Sequence, residues 1–377
     1  MVFKKIKFMS IFKNLFSKIF RPSLKLFTIG PVQMYESTLK IRSNQLPYFR
    51  STNFSNIIKN CDNLLKDLIG TSMNSKIMYL TSSGTGAMSA TLSNFIYNDD
   101  RVLIINSGTF GERFCEICRT LSIDFDEIKV PFNHNLDLTL LNNYSSNNYK
   151  AVFLTAHETS TGYLADVLKV SKFCKKNNFL LVVDAITTFL CDQFHMDELG
   201  VDIAIISSHK GLCISPGLAM SVINEKTLNK IKQNTKTDFY FDFKKYILNL
   251  NNFQTPYTPA IGVILELEDI LLKIKNIGLK IWLSNVQLKA NTFRRTLDDR
   301  ILIPKHNLSN AITPIIFKEN IAKHMYTVLA EKYSYITNPS GGQFAEKMLR
   351  ISHIGDLSNN DFINLNKAIT KELNKIK

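Results

Sequence analysis

Residues 180–184, Leu-Leu-Val-Val-Asp, and residues 203–206, Ile-Ala-Ile-Ile, are apolar runs of strand length with no polar interruption before their ends. A strand with one wet face alternates apolar and polar side chains, so an unbroken run belongs to a sheet covered on both faces. Such sheets are parallel or mostly parallel, with helices laid over them. The rest of the sequence supplies those helices. "KIMYLTSS" is followed by "AMSATLSNFIY" at helical spacing, "DRVLIINSG" by "FGERFCEICRTL", and "YKAVFLTAH" by "VLKVSKFCKKNN" before "FLLVVDAI" and "VDIAIISS". "GLAMSVIN" reads as one more strand, antiparallel to the others. Strands alternating with helices predict an α/β layered domain. At 377 residues the chain is too long for one small core. The expected division is an N-terminal extension over 1–26, a large domain over 27–277 and a smaller α+β domain over 278–377. One long helical stretch from Gly262 to Leu297 is expected to join the last two.

The net charge of +14 is unevenly spread. Lys4, Lys5, Lys7, Lys13, Lys18, Arg21 and Lys25 all precede the first acidic residue, Glu36. The remainder carries only a modest basic excess without interleaved aromatics, which suits small anionic ligands and argues against nucleic-acid binding. In the basic N-terminal segment Ile6, Met9, Phe12, Phe16 and Ile19 or Phe20 recur at helical spacing. No apolar stretch there approaches membrane-span length, and neither a continuous apolar centre nor a small-residue cleavage site marks a secretory signal. An arm packing on a partner subunit, an amphipathic helix on a membrane surface, and an over-long start with Met9 as initiator all stay open. The cysteines Cys61, Cys115, Cys118, Cys174, Cys191 and Cys213 lack paired metal-site spacing, so no metal site and a reduced, cytoplasmic chain are expected.

Ligands of open parallel sheets collect at the carboxyl ends of the strands. After the first strand comes Ser82-Ser83-Gly84-Thr85-Gly86, a small-residue turn opening a helix, where backbone N–H groups and the helix dipole can hold a phosphate. It is neither a dinucleotide fingerprint, since Ser89 stands where a glycine is needed, nor a P-loop. Asp184 ends "FLLVVD", where a buried carboxylate needs a partner. His209 and Lys210 follow "VDIAIISS", and "ETSTG" (Glu158 to Gly162) follows "AVFLTAH". A phosphate loop, a strand-end acid and, one strand later, a strand-end lysine match what pyridoxal 5'-phosphate requires. Its phosphate takes a helix N-terminus, its ring nitrogen an anion and its aldehyde an amine. Lys210 serves as that amine if burial and neighbouring positive charge lower its pKa.

The chain resembles the class V aminotransferases of fold type I, near the alanine–glyoxylate, serine–glyoxylate and 2-aminoethylphosphonate transaminases. The resemblance runs from "FTIGPVQM" (Phe27 to Met34) to "MLRISHIG" (Met348 to Gly355). It rests on "SSGTGAMSA", "NSGTFGERF", "HETSTG", "VVDAITTF", "SSHKGL" with the following "SPG", and "TPYTPA". It implies a mostly parallel seven-stranded sheet flanked by helices, a bound pyridoxal phosphate and ping-pong transfer of an amino group from a small amino acid or amine to pyruvate or glyoxylate. It also implies the site residues. Ser83, Gly84 and Thr85 would hold the phosphate, Phe110 would stack on the ring, and Thr159 would reach the ring hydroxyl. Asp184 would pair with the ring nitrogen while Ile186 covers the other face. Lys210 would be the Schiff-base lysine and proton shuttle. His209 stands where the family often has Gln beside the phosphate. Thr258 would reach the phosphate of a neighbouring subunit's cofactor, implying a homodimer with shared sites. Arg350 would bind the substrate carboxylate. His157 lies one residue from where the family often places a His.

Three rivals share parts of this pattern. A cysteine desulfurase needs a nucleophilic cysteine well after the lysine, and none follows Cys213. A lyase or decarboxylase of the same fold is separated by its products. A non-catalytic scaffold would have no use for both Asp184 and Lys210.

Overall fold

The computed structural model describes residues 24–97, 99–145, 148–231 and 238–376. The amphipathic stretch around Ile6 to Phe20 lies outside these residues. Among the described residues no helix is long and apolar enough to cross a membrane.

Seven strands form the central sheet: β1 (Lys76–Leu80), β2 (Arg101–Asn106), β3 (Asp124–Lys129), β4 (Tyr149–Thr155), β5 (Leu180–Asp184), β6 (Ile203–Ser207) and β7 (Ala219–Ile223). Their order is β1-β7-β6-β5-β4-β2-β3. Strands β6, β5, β4, β2 and β3 run parallel, and β7 lies antiparallel between β1 and β6. Every residue of β5 and β6 is buried, as their unbroken apolar runs require. Strand β3, Asp-Phe-Asp-Glu-Ile-Lys, was not expected. It is an edge strand, where charged side chains are tolerated and block further pairing.

Helices α1 (Thr52–Ile69), α2 (Gly84–Phe95), α3 (Thr109–Leu121) and α4 (Val167–Asn177) cover the sheet. Their ends follow local chemistry. The Ser51 hydroxyl accepts from Phe54 N–H at the start of α1, and left-handed Gly70 stops it. Asp166 caps α4, and left-handed Asn178 ends it. The long helical stretch expected from Gly262 to Leu297 is two helices, α5 (Ile261–Ile277) and α6 (Leu279–Arg295). Gly278 breaks it with φ +89, a left-handed backbone that glycine adopts readily.

A second sheet, β8 (Ile312–Ile316), β10 (Met348–Ser352) and β9 (Asn338–Pro339) in that order, packs with α7 (Ala322–Tyr333) and α8 (Asn359–Leu373). Its core gathers Phe293, Ile315, Met325, Leu349, Phe362 and Ile369. Phe27 joins this second core, and Lys25–Leu26 pair in parallel with Tyr335–Ile336. The start of the described chain is thereby fastened to its C-terminal part. Helix α6 bridges the two cores, with Trp282 and Val286 in the first and Phe293 in the second.

Candidate active site

Because β5 and β6 are parallel neighbours, their carboxyl ends open on one edge of the sheet, with Asp184 opposite Ile205. Asp184, Lys210, Phe110, Thr159, Ile186, Thr187 and His157 line one small cavity there. Asp184 is buried, and its Oδ1 accepts from Ile186 N–H at 2.9 Å. Burial pushes its carboxyl up to about 7. The Ile186 N–H opposes that rise, Glu158 adds to it, and Lys210 and Arg113 oppose it. Lys210 is moved the other way. Burial brings its ammonium down to about 8 against the pull of Asp184, with Arg350 helping to lower it. An amine so tuned is partly neutral near neutral pH and can act as a nucleophile or a base.

The turn carrying Lys210 is held from several sides. Cys213 N–H donates to the Lys210 carbonyl at 2.8 Å, and Ile214 N–H to the Ser208 carbonyl at 3.2 Å. Buried Glu266 of α5 accepts from both the Ser215 N–H and its hydroxyl at 2.7 Å. A Cβ on Gly211 would lie 2.1 Å from the Phe189 carbonyl oxygen, so only glycine fits. From the other side Gly30, in "FTIGPVQM", packs against the His209 ring and the Lys210 stem.

Helix α2 brings the small-residue loop to the same place. Its N-cap Ser83 makes no side-chain capping bond, and a Cβ on Gly84 would come within 2.4 Å of Ile186 Cδ1. Thr85 Oγ1 accepts from Arg113 at 3.1 Å, and the Arg113 guanidinium lies 4.7 Å above the Phe110 ring. Arg113 was not singled out from the sequence. It stands three residues after Phe110 in "GTFGERF", so helical spacing places both on one face and could have found it.

Helix α3 begins on a buried carboxylate. Glu158 accepts from Phe110 N–H (2.9 Å), Gly111 N–H (3.2 Å), Ser160 N–H (3.1 Å) and the Ser160 hydroxyl (2.6 Å). The acid of "ETSTG" thus holds the turn that carries Phe110. A second cavity of about 880 Å3 lies against Phe110 and includes Arg113, Ser160, Gln343 and Arg350 in its walls. Arg350, on β10, donates to the Thr159 carbonyl at 3.2 Å and the Pro339 carbonyl at 2.8 Å, and its buried Nε is unpartnered.

His209 is adjacent to Lys210, and burial brings its ring down to about 4. Thr258 is exposed and lines neither cavity, although Ala260 N–H donates to Thr81 Oγ1 just before the loop. Cys115 sits with Glu112 and Glu127, all three ligand atoms lying within 4.8 Å of one another. Those carboxylates are already engaged by the Asn106 amide and, for Glu112, by Arg119. Burial pushes the Cys115, Cys118 and Cys213 thiols up to about 12, which removes them as nucleophiles at neutral pH.

The residues fit a pyridine ring bearing a phosphate and an aldehyde. A strand-end acid and a lowered lysine line the cavity, a glycine at a helix start packs against its Ile186 wall, and the ring nitrogens of His157 in that lining are buried without partners. Fold and site together define a pyridoxal-phosphate-dependent transferase of fold type I. The aminotransferase class V family model matches residues 39–354, and the chain belongs to that family. It is a pyridoxal-phosphate-dependent transaminase. It is 27% identical over 348 residues to the soluble hydrogenase 42 kDa subunit of Anabaena cylindrica, covering 90% of each chain. It is 25% identical over 359 residues to the L-aspartate–glyoxylate aminotransferase of Paracoccus denitrificans, covering 92% of this chain and 90% of that one. The crystal structure of an alanine–glyoxylate aminotransferase from Nostoc sp. superposes with a TM-score of 0.87 at 22% identity, over 93% of this chain and 96% of the other.

Proposed function

We propose that this transaminase moves the amino group of a small α-amino acid to a short 2-oxo acid, glyoxylate or pyruvate, by a ping-pong route. Arg350 carries the reading. Its guanidinium is oriented by two backbone carbonyls and keeps a buried Nε without a partner, in the wall of the cavity beside Phe110. A planar cation so fixed suits a carboxylate common to the amino donor and the oxo acceptor. The L-aspartate–glyoxylate aminotransferase of Paracoccus denitrificans among its relatives supports glyoxylate as acceptor.

In this reading the N–H groups at Ser83, Gly84 and Thr85 receive the phosphate, with His209 beside it. Phe110 and Ile186 bracket the ring, and Thr159 meets its hydroxyl. Asp184 supplies the anion for the ring nitrogen. The bound cofactor supplies an electron-accepting ring next to the substrate Cα. Lys210, lowered to about 8, takes the Cα proton at its Nζ and returns a proton on the opposite side of the transfer. Phe110 and the surrounding apolar wall keep water from that proton. Thr258 serves the neighbouring subunit of a cytoplasmic homodimer. Beside it Phe239, 74% exposed, packs on the half-buried Tyr257, which stacks on half-buried Tyr240, and this aromatic cluster supports such a surface.

A panel of amino donors tested against glyoxylate and pyruvate, read as absorbance changes of the bound cofactor in each half-reaction, tests the proposal. Small amino acids should react, and Arg350→Met should raise KM about 100-fold for donor and acceptor alike, the value of a lost charge-assisted pair. Preference for 2-aminoethylphosphonate, or an unchanged KM in the variant, would overturn it.

A further inference from the structure

His157 has no part in the chemistry just described. It opens the short strand His157–Glu158, is 1% exposed, and lines the small cavity together with Asp184, Thr187 and Lys210. Neither of its ring nitrogens has a partner at full hydrogen-bond geometry, although the Thr187 backbone lies close enough to hold its pKa up a little. The other buried histidines each have at least one partner: His306 Nε2 meets the Thr161 carbonyl at 3.1 Å, and His353 is engaged through both nitrogens. His353 Nδ1 meets the Asn310 carbonyl at 2.9 Å, and its Nε2 meets Thr313 Oγ1 at 3.3 Å. Two orphaned nitrogens in a dry interior are unfavourable, and an apolar side chain of similar shape would avoid that loss. A group that fills the cavity therefore meets a ring with unused hydrogen-bonding capacity.

The backbone on both sides of the ring is tied to the strand end that carries the acid. Ala156 N–H donates to the Asp184 carbonyl at 3.0 Å, and Thr187 Oγ1 donates to the His157 carbonyl at 3.2 Å. Burial holds the imidazole neutral, bringing its pKa down to about 3. The Thr187 backbone opposes that fall, while Lys210, Arg294 and His306 add to it. A neutral imidazole carries one N–H donor and one lone pair. Asp184 uses Oδ1 for the Ile186 N–H, and its Oδ2 accepts no hydrogen bond among the described residues.

We propose that His157 is a positioning residue acting through Asp184, supplying a hydrogen bond that keeps the carboxylate ionised and aimed at the ring nitrogen once the cavity is filled. The proposal rests on the cofactor assignment and names a role for this chain's own His157. His157→Phe removes both nitrogens and keeps a ring, and His157→Gln keeps a donor and an acceptor. Purified apoproteins are titrated with pyridoxal 5'-phosphate, the absorbance of the bound cofactor is followed across pH, and the apoproteins are melted. His157→Phe should bind the cofactor about tenfold more weakly, the worth of one hydrogen bond to a charged group. Its absorbance transition should move in pH, while the apoprotein melts at the wild-type temperature or above. His157→Gln should return the affinity and the spectrum towards wild type. His157→Leu makes the same comparison should the Phe variant not fold. Wild-type affinity and spectrum in the apolar variants would overturn the proposal, above all with a lowered melting temperature, which would mark His157 as packing alone. Failure of the wild-type apoprotein to take up the cofactor would instead strike the cofactor assignment itself.

Discussion

Replacing Glu158 by Gln keeps the side chain's shape and turns one oxygen into an NH2 group. All four neighbours of this carboxylate donate: Phe110 and Gly111 N–H to Oε2, and the Ser160 N–H and hydroxyl to Oε1. Glutamine can satisfy the helix start by turning its oxygen towards Phe110 and Gly111. Its NH2 then faces Ser160, whose hydroxyl can rotate to accept, and the Ser160 N–H is left without an acceptor. An orphaned buried donor costs about 1–3 kcal/mol, and the surviving bonds each weaken by roughly 1 kcal/mol once the charge is gone. The negative charge at the start of α3 contributes up to about another 1 kcal/mol. Burial works against the charged form and raises the Glu158 pKa, so part of this sum is returned when the charge is removed. The expected net loss is about 2–3 kcal/mol.

Urea unfolding of the apoprotein at pH 7 reads that loss as a lower midpoint at unchanged slope. Cofactor affinity should fall with it, because Phe110 sits on the first turn that Glu158 holds and Arg113 lies over the Phe110 ring. Stability within about 0.5 kcal/mol of wild type would refute the reasoning. That result would mean that the carboxyl is protonated in the fold and that burial outweighs the four donors.

Three further perturbations address the same site. Asp184 has a folded pKa of about 7 against an unfolded value near 3.8, so its stabilising contribution to the apoprotein is complete below about pH 4 and is lost as pH rises towards 7. Chemical denaturation across that window should therefore show wild type losing on the order of 4 kcal/mol relative to Asp184→Asn; parallel curves would contradict the assignment. Gly211→Ala drives a methyl group into the Phe189 carbonyl and must displace the Lys210 turn. It should destabilise by about 1–3 kcal/mol and lower kcat, measured by thermal melting and steady-state turnover. Arg113→Met keeps the stem but loses the bond to Thr85 and the cation over Phe110. Equilibrium titration should show cofactor binding weakened roughly tenfold.

Much of the sheet was legible because burial on both faces leaves no room for polar residues: β5 and β6 announce themselves as Leu180–Asp184 and Ile203–Ser207. Strand β3 was not legible, since its charges reflect an edge whose only sheet partner is β2. The break at Gly278 was hidden because α5 and α6 carry apolar residues up to the glycine from both sides, and periodicity does not record a change of axis. Within the site, Asp184 and Lys210 could be paired from sequence because Asp184 ends one buried strand and Lys210 lies three residues past the end of the next. What the sequence did not show was which side chains hold those two in place.

The sheet order explains that gap. Adjacent parallel strands β5 and β6 put Asp184 and Lys210 side by side, a neighbourhood that strand succession alone suggests. The small-residue loop Ser82 to Gly86 follows β1, which is separated from β6 by antiparallel β7, and it packs against Ile186 of the cavity only because Gly84 has no Cβ to hold it away. Phe110 comes from the opposite side, at the end of β2, and is brought in by Glu158, whose carboxylate crosses from the end of β4. In "AHETS" alternate residues then divide the labour: Glu158 turns to α3, while His157 and Thr159 turn to the cavity. Alternation along a strand is a sequence-level signal. Assigning the two faces needs the knowledge that α3 lies on one of them, and only the packed fold supplies it. A residue such as His157 therefore reads as a neighbour of the motif from sequence, and becomes a candidate for its chemistry only when both of its ring nitrogens are found without partners beside Asp184.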